Sequence, residues 1–135
     1  MIMTLEEFLR MDLTEERVSV EIPRIHLTFV LKPLMASEVS SIEREVSMEF
    51  KRMYPNLPLD DTKYYQLLGE RLLLASIVEP DMLDPRLMAK ANATYPYEIL
   101  GNILRQGELL KIQEVYQKLN DGTYLNEKLI EEAKN

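Results

Sequence analysis

The 135-residue chain predicts an α+β fold, an N-terminal β-hairpin followed by a mainly α-helical bundle. Two apolar runs that alternate with period two, one on each side of Pro23, argue for the hairpin. From Val39 to Leu119 the apolar residues instead recur every three or four positions, in stretches cut by Pro55, Pro58, Pro80, Pro85 and Pro96, which argues for several helices of modest length. There is no internal repeat, and no linker is long enough to separate two folding units. The expectation is therefore one domain over residues 1–135, made of an N-terminal helical arm (1–14), a hairpin (18–33), a helical bundle (37–120) and a C-terminal helix or tail (123–135).

Thr4-Leu5-Glu6-Glu7 has the form of a capping box, and Leu5, Phe8 and Leu9 then share one face, so a short amphipathic helix opens the chain. Val18, Val20 and Ile22 alternate with Ser19 and Glu21. Beyond the turn Ile25, Leu27, Phe29 and Leu31 form a second apolar face, with His26 among the residues opposite and Pro33 ending the run. A helix capped by Ser37 follows, with Val39, Ile42, Val46, Phe50 and Met53 as its stripe. Asp60 or Asp61 caps the next helix, which the periodicity of Tyr64, Leu67, Leu68, Leu72, Leu73, Leu74 and Ile77 carries through Val78 to the stop at Glu79-Pro80. Asp84-Pro85 and Thr94-Tyr95-Pro96 each start a short helix with proline in the first turn, and Gly107 is expected to close the second of them near Arg105. Leu109, Ile112, Val115, Tyr116 and Leu119 make another stripe that Asn120-Asp121-Gly122 ends, and Leu125, Leu129 and Ala133 suggest a last helix.

Composition removes several function classes. With no cysteine and one histidine, His26, the chain has neither disulfides nor the soft and nitrogen ligands of a transition-metal centre. A net charge of −7 repels nucleic acid, and the longest basic cluster, Arg44, Lys51 and Arg52, is interleaved with Glu43, Glu45 and Glu49 as on a solvated helix face. The longest apolar run, Leu72 to Val78, falls far short of the ~18–20 residues of a membrane span. Glu6 and Glu7 stand where an export signal would carry positive charge, so the expected location is the cytoplasm. His26 has no recognisable nucleophile or partner, and four isolated glycines form no phosphate cradle, so neither catalysis nor a cofactor is expected. Asp60-Asp61, Asp81 and Asp84 read as helix caps rather than a cation site. Most of the eight methionines are expected in the core.

The order of segments resembles the XkdN-like phage tail assembly chaperones, small acidic proteins of phages and prophages of Gram-positive bacteria. The resemblance begins at Thr4-Leu5-Glu6-Glu7-Phe8-Leu9-Arg10-Met11-Asp12 and runs through the hairpin to Ile77-Val78-Glu79-Pro80 with Leu83 and Asp84. It continues at Glu98-Ile99-Leu100 and at Gly107-Glu108 before the last matched amphipathic helix. What it implies is a non-enzymatic factor that keeps the tape measure protein soluble, helps recruit tail tube subunits, and is absent from the finished virion. Homo-oligomers are compatible with it. The resemblance also raises a −1 ribosomal slip, for which Ala133-Lys134-Asn135 permits suitable codons.

Partner contacts are expected on the terminal helices, because the central ones are needed for the core: Leu5, Phe8 and Leu9 at one end, Leu125, Leu129 and Ile130 at the other. The same residues fit equally well a packing of both helices on the domain. The competing function is an acidic helical adaptor or regulator of a host protein, which gene neighbourhood would separate from a tail chaperone.

Overall fold

A computed structural model of the chain describes residues 3–11 and 16–121. The arm forms α1, Leu5–Arg10, where the Thr4 hydroxyl accepts the Glu7 N–H at 3.2 Å and Glu6, Glu7 and Arg10 complement the helix dipole. The expected hairpin follows as β1, Val18–Ile22, and β2, Leu27–Leu31, antiparallel with Val18 opposite Leu31, Val20 opposite Phe29 and Ile22 opposite Leu27. Both strands alternate buried and exposed side chains, so the sheet has one dry face. The second strand starts at Leu27, two residues later than its alternation suggested. Pro23–Ile25 instead make a 3-10 turn, and His26 occupies the left-handed region (φ 54°) with its N–H on the Pro23 carbonyl. His26 is thus an exposed turn residue and not part of a strand.

Helix α2, Ala36–Met53, begins one residue before the expected cap. The Met35 N–H donates to the Glu38 carboxylate at 3.1 Å, and Lys32 pairs with the same side chain at 3.2 Å, so Glu38 rather than Ser37 sets the start. Helix α3, Thr62–Ser76, is capped by Asp61, whose carboxylate accepts the Lys63 N–H at 2.8 Å.

The largest departure from the sequence reading lies at the end of α3. Ile77–Glu79 form β3, a third strand antiparallel to β2 with Leu31 opposite Ile77, where periodicity had continued the helix to Val78. Ser76 is fully buried, its hydroxyl bonded back to the Leu73 carbonyl at 2.6 Å, while its own carbonyl accepts the Lys32 N–H at 2.9 Å. Two β-branched residues and a residue held extended by Pro80 then favour strand. The helix therefore gives up its last expected turn to pair with the open edge of β2.

The remaining helices are α4, Pro85–Lys90, α5, Pro96–Ile103, and α6, Gln106–Asp121. Asp84 caps α4 through the Arg86 N–H at 2.9 Å, and Pro85 and Pro96 open their helices as expected. Gly107 does not close α5. It is the second residue of α6, and the break falls at Leu104, with Arg105 N–H donating to Glu108 at 2.8 Å to start the new helix. Glu108 also takes the Arg24 guanidinium at 2.7 Å, while Arg24 donates to the Ile103 carbonyl at 2.7 Å, so one arginine ties the hairpin turn to both helices.

Among the described residues two apolar clusters result, sharing α3. The larger buries Val20, Ile22, Phe29 and Leu31 of the sheet against Leu73, Ile77, Ile99, Leu100 and Ile112. The smaller joins Val46 and Phe50 of α2 to Tyr64 of α3, with the Phe50 and Tyr64 rings edge to face at 5.6 Å. Most methionines are not in either: Met3, Met11, Met35, Met48 and Met53 are exposed, and Met82 is buried.

Two measurements test this account. Phe50→Ala should lower unfolding free energy by about 3–5 kcal/mol in urea titration, as a fully buried aromatic truncation does. The second concerns Glu108, whose carboxyl is held at about 2 against an ordinary 4.5, first by the hydrogen bond from Arg24 and next by the Arg105 N–H. A depressed folded-state value stabilises above the unfolded value and loses that stabilisation as pH falls through the folded one. The thermal midpoint of the wild type should exceed that of Glu108→Gln above pH 4.5, and the two should converge as pH approaches 2.

Candidate functional site

The sharing of α3 between two clusters leaves a groove where they diverge. Its volume is about 970 Å³. One wall is the C-terminal part of α2, with Glu49 and Met53; the floor is Leu67, Arg71, Leu74 and Ala75 of α3, continued by Ile77 and Val78 of β3. The other wall is the loop Asp81–Leu83 with Tyr95, Pro96 and Tyr97 at the start of α5. Three large apolar rim side chains are open to solvent: Met53 at 52%, Tyr95 at 54% and Leu83 at 72%. An apolar hollow of this size between helices is a common form of docking site.

Its polar groups are few. Arg71 and Glu49 pair at 2.7 Å, bridging α3 and α2 across one side. The Asp81 carboxylate accepts the Leu83 N–H at 3.0 Å and so holds the loop that presents Leu83. Burial pushes the Tyr97 phenol up, with the nearby Glu70 carboxylate adding to it, and burial likewise raises Glu70. Tyr97 is therefore a neutral wall at physiological pH. Among the described residues no three of His, Asp and Glu gather as a metal would need, and His26 is not among those lining the groove. The arrangement fits binding of an apolar surface.

Of the partner contacts expected from sequence, Leu5, Phe8 and Leu9 are all exposed on α1, at 67%, 45% and 71%, and no residue of that helix is buried. Among the described residues, nothing buries this stripe. Leu125, Leu129 and Ile130 lie outside the described residues. The groove escaped sequence reasoning because Met53, Leu67 and Leu74 fall on stripes assigned wholly to the core. The available clue was Leu83, an apolar residue between Asp81 and Asp84 with no stripe of its own. The Arg44, Lys51 and Arg52 face is exposed, as its interleaved charges suggested.

The family model of the phage XkdN-like tail assembly chaperone proteins matches residues 5–134. No curated protein matches the chain in sequence. Among solved structures, the crystal structure of the protein yqbn is similar in fold, with a TM-score of 0.64 at 18% identity over 90% of this chain and 98% of that one. The chain belongs to the XkdN-like phage tail assembly chaperone family. No described helix is long and apolar enough to cross a membrane.

The exposure of the groove rim has a direct consequence. Met53→Gln with Leu83→Gln should leave the urea midpoint unchanged within an equivalent of about 0.5 kcal/mol, since neither side chain is in the core.

Proposed function

We propose that this protein binds and solubilises the tape measure protein during tail assembly and helps recruit tail tube subunits, acting without catalysis in the cytoplasm of the bacterial host and leaving before the virion is complete. Family membership supplies the phage tail setting. The observation that carries the reading is apolar surface left uncovered on a strongly acidic chain: the α1 stripe and the groove, on a molecule of net charge −7. Apolar faces give a long, aggregation-prone partner somewhere to bury its own stripes, and like charge keeps the resulting complexes apart. An acidic adaptor for a host protein would use similar faces, but the family membership favours a tail protein.

Contacts are proposed at Leu5, Phe8 and Leu9, and at Leu125, Leu129 and Ile130 of the C-terminal segment. The test is co-expression with the neighbouring tape measure protein, scored as its soluble fraction. The chaperone should raise that fraction severalfold. Phe8→Asp and Leu129→Asp should each abolish the gain with the thermal midpoint nearly unchanged. A tape measure protein equally soluble with and without this chain would refute the reading, and unfolding of both variants would make those residues structural.

A further inference from the structure

We propose that the groove between α2, α3 and β3 docks one amphipathic helix of the partner, and that this helix carries lysine or arginine along the side of its apolar stripe that faces Asp81 on the lip. The inference rests on the chaperone reading above and adds the place and the chemistry of recognition.

The apolar part of the argument is geometric. Leu67, Leu74, Ala75 and Val78 form a continuous floor across a helix and the strand that prolongs it, and Met53 and Leu83 stand over it from opposite walls. A helix laid on such a floor buries a stripe of side chains at i, i+3 or i+4 and i+7, and unbranched methionine lets one wall adjust to different residues.

The charged part decides which helix. Arg71, the cation in the groove, is engaged by Glu49 at 2.7 Å. On the opposite lip the exposed Asp81 carboxylate accepts the Leu83 N–H, and among the described residues it forms no ion pair. An incoming helix therefore meets a spent arginine on one side and an uncompensated carboxylate on the other. A basic flank gains there and an acidic flank is repelled. The same asymmetry disfavours a second copy as the occupant. The exposed stripe of α1 is flanked by Glu6 and Glu7 against a single Arg10, so it would bring like charge to the lip.

The test uses the full chain and two fluorescein-labelled synthetic helical peptides with the same leucine stripe, one with lysine and one with glutamate at the flanking positions. Fluorescence anisotropy in low salt should show the lysine peptide binding about fivefold tighter or more, the scale of one good exposed ion pair. The preference should shrink as salt rises. Asp81→Asn, which keeps an acceptor for the Leu83 N–H, should narrow it, and Met53→Gln with Leu83→Gln should weaken both peptides at least tenfold. Equal affinity for the two peptides, or binding indifferent to the Met53 and Leu83 changes, would overturn the proposal. So would a sedimenting dimer that those two changes dissociate, because the groove would then belong to a second copy. Failure to solubilise the tape measure protein while the peptide preference holds counts against the chaperone function alone. Solubilisation that survives loss of the groove counts against the groove.

Discussion

The pairing of Ser76 and Ile77 with β2 is the constraint from which the architecture follows. A helix that ends in free solvent can lie at many angles to a sheet, whereas one whose final carbonyl accepts the Lys32 N–H and whose next residue lies opposite Leu31 has its axis fixed at that end. With its end fastened to the sheet, α3 gives Leu73 to the cluster on the sheet and Tyr64 of its first half to a separate one. The apolar residues of that first half then need cover, and α2 supplies it through Val46 and Phe50. Covering the edge of β2 with three residues of strand also leaves fewer open backbone groups for unwanted pairing.

The opposite side of the sheet is secured differently. There the hairpin turn carries Arg24, and its guanidinium spans the junction between α5 and α6 by holding both the Ile103 carbonyl and the Glu108 carboxylate. Glu108 at the same time starts α6 through the Arg105 N–H. One ion pair thus marks the end of a helix, begins another and registers both against the turn. Charge placed this way sets direction more than it adds stability, since both side chains still reach water, at 34% and 21% exposure.

Much of this was legible in the sequence, and the misses share a cause. The hairpin, the aspartate caps at Asp61 and Asp84, the proline starts at Pro85 and Pro96 and the stripe of α6 were readable because each depends on residues within four positions of one another. Ile77 and Val78 were misread because they satisfy helical spacing and strand propensity alike, and the deciding partner, Leu31, lies far away in sequence. Gly107 was read as a stop for a similar reason: glycine commonly ends helices, but here Glu108 makes the adjacent start. The exposed methionines and the groove were invisible for a different reason. Periodicity tells which residues share a face and says nothing about whether a second element arrives to cover it.

That α2 rests chiefly on one neighbour has a consequence for how the molecule opens. Its cluster of Val46, Phe50 and Tyr64 is small and separate from the larger one, so it forms the less costly unit to separate from the rest. Since α2 is also one wall of the groove, a partial opening of that unit widens the groove while the sheet and its helices stay folded. The width presented to a ligand is then an equilibrium property, set by how firmly the Val46, Phe50 and Tyr64 cluster and the Glu49–Arg71 pair hold α2 to α3, rather than a fixed dimension. Substitutions in that cluster would act as a rheostat, shifting how large a side chain the protein accepts without touching any residue that lines the groove.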